Sequence, residues 1–296
     1  MRRLRAFVRL SRPLFLYGGF AGVALGAAVA AWTGHRLDGT TYLWAQGLVT
    51  AFHLMVHYAN DYFDQECDAG ATRTAWSGGS GILTAGELPP RVALTAALVC
   101  AALGLAASAR FALSGNLAVA GLGVAIFVFA WCYSAPPVRF AARGLGELDT
   151  ALVVAVLVPC AGYAAFTGRV DGPILTAVLA PAGAMLAMML CVELPDAEAD
   201  AFAGKRNVVV RLGPARAWRF ITATALFAAA VAIGLSLRIH AGLATLALAP
   251  LAASASQLVR LANGDPRPNS MAFWGVALYA ATVTGLTAVY TVALMH

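Results

Sequence analysis

The chain runs to 296 residues, 60% of them hydrophobic and only 11% charged, with a mean hydropathy of +0.76. Soluble domains carry about 25% charged residues, so this composition excludes a water-soluble enzyme and predicts an all-α, polytopic membrane protein. The net charge of +6 calls for no nucleic-acid partner, because the cytoplasmic loops of such proteins are enriched in Lys and Arg.

Apolar runs punctuated by Gly, Pro and charge predict nine transmembrane helices. They fall at about 13–33, 41–60, 91–110, 116–134, 148–167, 173–193, 217–237, 241–261 and 271–294, near the ~17–25 residues that cross a bilayer. The first follows Arg2, Arg3, Arg5 and Arg9. Its apolar stretch is longer than the roughly 7–15 residues of a signal-peptide core, so it is read as a retained helix. No linker or shift in composition divides residues 1–296, which are read as a single domain. With the N-terminus cytoplasmic, sixteen of the 20 Lys and Arg residues fall on the cytoplasmic side. Arg36, Arg110, Arg169 and Arg238 fall on the other, a bias that supports nine spans in an inner membrane.

The second span ends in "HYANDYFDQECDAG", residues 57–70, which holds Asp61, Asp64, Glu66 and Asp68. Acids are expensive near a bilayer and usually mark a functional site; the alternative is a set of solvated loop acids. Residues i, i+4 and i+8 advance only about 40° per step around a helix, which puts Asn60, Asp64 and Asp68 on one face. Asp61 lies close to it. In the long link that follows, "SGGSG" at 77–81 suits a phosphate cradle or a flexible turn equally well.

Between the fourth and fifth spans, "YSAPPVRFAARGLGE" (133–147) sets Arg139 and Arg143 four apart. They are either ordinary cytoplasmic loop charge or a lid that holds phosphate oxygens, for which Arg is well shaped. The sixth span ends in a second acidic window, "CVELPDAEAD" (191–200). Glu193, Asp196, Glu198 and Asp200 repeat the first window at a constant offset of 132 residues. The two windows hold eight of the chain's 14 acidic residues, and Arg73 and Lys205 share the same offset. This predicts two four-helix pseudo-repeats plus a ninth helix, with duplicated sites facing each other across a central cavity. "GKRNVVVRLG" (204–213) adds Lys205 and Arg206 as an anion clamp.

Oxygen-only ligands at this density suit hard cations, Mg²⁺ above all, which prefers a few carboxylates completed by phosphate oxygens and water. Cys67, Cys100, Cys132, Cys160 and Cys191 show no paired spacing and are read as small apolar packing residues.

Taken together, these residues resemble the UbiA superfamily of intramembrane prenyltransferases. Asn60-Asp61-x-x-Asp64-x-x-x-Asp68 is similar to its first Asp-rich motif. Asp196-x-x-x-Asp200 with Gly204-Lys205-Arg206 and Leu212-Gly213 is similar to its second. "YSAPP" and "RGLGE" resemble the segment between helices four and five. The resemblance implies Mg²⁺ bridging the diphosphate of an isoprenoid donor inside a membrane cavity. It implies that Asn60, Asp64, Asp68, Asp196 and Asp200 hold the metals and that Arg73, Lys205 and Arg139 bind diphosphate oxygens. Tyr133 would sit near the ionising bond, and an aromatic acceptor would take the prenyl chain. Two departures stand out: Val192 occupies the position where the second motif usually opens with Asn or Asp, and Pro195 interrupts it. Glu193 is the residue left to complete that site. "NDYFD" with its Gly-rich sequel looks most like the dihydroxynaphthoate branch of menaquinone synthesis. Two other readings share the sequence. One is a terpene cyclase of the same superfamily. The other is an ion-coupled transporter, whose acids would usually lie near the bilayer midplane rather than at helix ends.

Overall fold

The computed structural model describes residues 2–65, 68, 79–202, 204–240, 251–252, 256–258 and 268–295. Among them every regular element is helical and none is a strand. Glu66, Cys67, Arg73 and the first two residues of "SGGSG" lie outside the described residues, as do Arg260, Arg267 and most of the expected span 241–261.

Helix α1 (Arg2–Leu10) buries Ala6 and Leu10 and exposes Arg2, Arg3, Arg5 and Arg9, the pattern of an amphipathic helix with a basic outer face. Arg12 then takes a left-handed backbone conformation (φ 46°), and a 3₁₀ turn at Pro13–Leu16 leads into α2 (Tyr17–Trp32). Helix α3 (Gly39–Phe63) is capped by Asp38, whose side chain accepts from the Thr41 amide at 2.8 Å; such a cap satisfies an otherwise orphaned N–H. It runs a turn beyond the expected limit at residue 60. Helices α4 (Pro90–Leu113) and α5 (Leu117–Cys132) follow, the latter capped by Asn116.

The fifth expected span is a composite. It starts as α6 (Gly146–Leu152), passes through a π-helical stretch at Val153–Leu157, and ends as α7 (Val158–Thr167). Pro159 supplies the cause: it offers no N–H to the carbonyl four residues back, and its ring clashes there. The sixth comprises α8 (Gly172–Ala177) and α9 (Leu179–Glu193), then a 3₁₀ turn at Leu194–Asp196 and α10 (Ala197–Phe202). The short α11 (Val208–Leu212), α12 (Pro214–Ile239) and α13 (Pro268–Val292) complete the described chain.

Two apolar clusters organise the interior. One gathers residues of α3, α4 and α5, the other residues of α9, α12 and α13, and both draw on α2 and α7. These two central helices touch through small residues. A Cβ on Gly26 would lie 2.1 Å from the Pro159 carbonyl oxygen, and one on Gly162 would lie 2.6 Å from that of Val23. Close backbone approach of this kind is how helices associate where no hydrophobic drive exists between them. Outward, Leu98, Val99 and Leu103 on α4 and Leu226, Phe227 and Leu237 on α12 stay exposed, as lipid-facing positions do.

Among the described residues, six helical stretches are long and apolar enough to cross a membrane, with Leu117–Cys132 a shorter apolar helix. Helix α3 is long but more polar, and is not among the six. The count of nine and the four-helix repeat therefore stay expectations.

Candidate active site

The first acidic window continues the winding of α3. The Asp64 amide donates to the Asn60 carbonyl at 2.9 Å and the Asp68 amide to the Asp64 carbonyl at 2.9 Å, so the four-residue spacing is helical as far as Asp68. Asp61 is 3% exposed and fully engaged. It pairs with the Arg12 guanidinium and accepts from both the hydroxyl and, at 3.2 Å, the amide of Ser80. Burying a carboxylate demands such compensation. Arg12 Nη2 also lies 3.5 Å from Asn60 Oδ1.

Asn60 links this window to the segment between α5 and α6. Its Nδ2 donates to Asp64 Oδ2 at 2.6 Å and to Ser134 Oγ at 2.9 Å. Arg139 Nη2 approaches Asp64 Oδ1 to 3.8 Å. Arg143, by contrast, is exposed and donates to the Pro137 carbonyl of its own loop at 2.8 Å.

In the second window Pro195 sits inside a 3₁₀ turn, Leu194–Asp196, that interrupts the α-helical winding between α9 and α10. Asp196 is buried there. Asp200 accepts from Asn207 Nδ2 at 2.8 Å and pairs with Lys205 Nζ at 3.3 Å. Asn207 in turn caps α11, accepting from the Val210 amide at 2.9 Å. Glu193 faces Glu147, Asp200 and Lys205, and its Oε2 is buried without a hydrogen-bond partner. Arg206 is exposed and contributes its backbone rather than its side chain to the neighbourhood.

The two windows meet. Asp64 feels the charges of Lys205 and Asp200 from the second window as well as Arg139, and Asp68 feels Lys205 as well as Arg12. The Tyr133 hydroxyl lies within the fields of Glu193, Asp64, Glu147 and Asp149. Burial raises the Asp64 carboxyl above its usual range despite Lys205 and Arg139. Burial likewise pushes Asp68 up to about 6, against the pull of Arg12 and Lys205. These are acids short of positive charge.

Among the described residues, no group of three or more His, Cys, Asp or Glu side chains is assembled tightly enough to hold a metal alone. The donors present are hard oxygens, and Glu193 offers an unpartnered one. They fit a Mg²⁺-type cation that takes one or two carboxylates and completes its shell with ligand phosphate oxygens and water. They do not fit an all-protein cage.

In the sequence Arg12 stands only among the sixteen basic residues of the cytoplasmic side, and the motifs above do not single out Ser80, Ser134 or Asn207. Asn207 carried a signal, since it immediately precedes a short apolar helix and Asn is a preferred cap. Arg12 carried none, because a left-handed arginine follows no pattern in composition.

Residues 20–294 match the model of the UbiA prenyltransferase family. The 1,4-dihydroxy-2-naphthoate octaprenyltransferase of Mycobacterium tuberculosis is 28% identical over 269 residues, covering 89% of each chain. A UbiA homologue from Archaeoglobus fulgidus bound to GPP and Mg²⁺ superposes with a TM-score of 0.64 at 18% identity, over 97% of this chain and 99% of that one. The apo UbiA homologue from Aeropyrum pernix gives 0.70 at 17% identity, over 91% and 97%.

Proposed function

This chain belongs to the UbiA prenyltransferase family, and from that premise we propose that it moves a polyprenyl chain from its diphosphate to an aromatic acceptor of the dihydroxynaphthoate class. The observation that carries this reading is the convergence of two acidic windows with Arg12, Arg139 and Lys205 at the ends of helices lined by apolar side chains. Full-length similarity to a 1,4-dihydroxy-2-naphthoate octaprenyltransferase supports the acceptor class. A membrane transporter has no evident use for so many cations beside its acids.

In this reading Asn60, Asp64, Asp68, Asp196, Asp200 and Glu193 would hold Mg²⁺. The bound ion would neutralise charge on the leaving oxygens. Arg139, Lys205, Arg73 and Arg12 take the remaining oxygens, where charge develops as the bond to the allylic carbon breaks. Both electrons of that C–O bond leave with the diphosphate. Tyr133 flanks the allylic cation until a ring carbon of the acceptor attacks it and a ring proton is lost. Nine helices in two four-helix repeats plus one would enclose the cavity, with the N-terminus and both acidic windows cytoplasmic.

The test is a membrane assay offering polyprenyl diphosphates of several lengths with 1,4-dihydroxy-2-naphthoate, with 4-hydroxybenzoate, or with no acceptor, read by mass spectrometry. Prenylated naphthoate products are expected. A cyclised hydrocarbon formed without acceptor would replace this reading with terpene cyclisation, and no product under any condition would overturn both.

A further inference from the structure

The segment between α5 and α6 and the one between α10 and α11 are bound to each other, together with α6 and α11, by three hydrogen bonds that the proposed chemistry does not use. The Arg206 amide donates to the Ala142 carbonyl at 3.0 Å. Arg211 bridges both segments, its Nε donating to the Arg206 carbonyl and its Nη2 to the Arg143 carbonyl, each at 2.7 Å. The Val208 amide donates to Glu147 Oε1 at 2.5 Å, and Glu147 is 2% exposed. Gly144 lies in the middle, with φ 74°. A Cβ there would stand 2.4 Å from the Arg206 carbonyl oxygen and 3.0 Å from Arg211 Nε, so only glycine allows both the turn and the approach.

On either side of this seam stands a cation of the site. Arg139 belongs to the first segment and reaches Asp64; Lys205, next to the seam residue Arg206, reaches Asp200. The first segment is also tied to Tyr133, whose carbonyl accepts from the Ala141 amide at 3.0 Å. The planar guanidinium of Arg211 suits the bridging role, because its fork fixes two acceptors at once.

We infer that Arg211 and Glu147 are positioning residues: through the seam they lock the two segments together, so that Arg139 and Lys205 meet one diphosphate with their spacing already set. The inference rests on the diphosphate reading above. Preset spacing of this kind saves the ordering cost that two independent loops would incur on each binding event.

Binding of inorganic pyrophosphate with Mg²⁺ to the full chain in lipid nanodiscs, measured by calorimetry, separates the two claims. Wild type is expected to bind. Arg211→Ala, Gly144→Ala and Glu147→Ala are expected to weaken binding about 10–100-fold, the range seen when a residue supporting a ligand is lost. Glu147→Gln keeps an oxygen facing the Val208 amide and is expected to rescue affinity to within about twofold, since a neutral acceptor suffices for that bond. Combining Arg211→Ala with Lys205→Ala should cost much less than the two losses summed, because coupled residues are not additive. Should Arg211→Ala fail to insert, Arg211→Lys, which keeps the charge without the fork, carries the same expectation. Wild-type affinity in the folded Arg211 and Gly144 variants, or full additivity with Lys205→Ala, overturns the positioning role while leaving the diphosphate reading intact. A wild type that binds no pyrophosphate removes both.

Discussion

Asp64 and Asp61 are three residues apart and both buried, yet their partners give them different work. Asp61 is saturated by Arg12 and Ser80, which makes it a structural anchor for the start of the chain. Asp64 accepts from the Asn60 amide and the Ser134 hydroxyl and has Arg139 at a longer 3.8 Å, with Lys205 and Asp200 of the second window also in its field, which leaves it able to accept a cation. Asp64→Ala and Asp196→Ala are each expected to lower turnover by at least about 100-fold while the protein still inserts, whereas the exposed Glu198→Ala stays near wild type. Product formation per folded protein, normalised by size-exclusion chromatography, checks this. A loss in Glu198→Ala equal to that in Asp64→Ala would contradict the division of labour. Asp68 adds a pH dependence. With its carboxyl pushed up to about 6 by burial, it holds a proton below that pH and must release it to bind a cation; above it, no proton competes. Mn²⁺ affinity, followed by electron paramagnetic resonance, should therefore rise between pH 5.5 and 7.5, by up to about tenfold per pH unit where one proton is exchanged.

At the scale of elements, the decisive piece is the break at Pro195. An uninterrupted α9 would carry Asp196 and Asp200 at α-helical spacing; the tighter 3₁₀ turn changes their register, and Asp200 lies beside Lys205 and Asn207. Pro195→Ala restores an N–H and removes the clash, so α9 is expected to run on. Turnover should fall about 10–100-fold through misplacement of Asp200, with helical content by circular dichroism unchanged or slightly raised. Unaltered turnover would show that the turn is set by something other than proline. Much of this was legible in the sequence. The four-residue spacing of Asn60, Asp64 and Asp68 announced a helical winding that the structure keeps, while the repeated offset of the two windows stays an expectation. Other features were not legible for physical reasons. Arg12 lies 49 residues from Asp61 and reaches it from a left-handed backbone conformation. The Arg211 bridge joins carbonyls, and every residue has one. Side-chain patterning cannot register such contacts.

For the molecule as a whole, the cost of α3 is the feature with the widest reach. This helix carries Gln46, His53, His57, Asn60 and Asp61 through its length and is too polar to count among the apolar spans. Polar groups in its last two turns find partners in the segment ahead of α2: the Ser11 carbonyl lies 2.9 Å from His57 Nδ1, the Ser11 hydroxyl 2.7 Å from that of Tyr58, and Arg12 holds Asp61. During synthesis, α3 therefore reaches the translocon as a poor client, since its polar side chains are costly in hydrocarbon until they are partnered. It has to be carried in by neighbours already made or just behind it. Chains truncated after Phe63 should leave α3 largely outside the bilayer. Those extended to Leu113 should insert it as a hairpin with α4, an outcome that glycosylation-site mapping in microsomes would report directly. An Arg12→Ala chain of the longer form should insert less completely, which would make the same arginine that faces the catalytic acids a requirement of biogenesis.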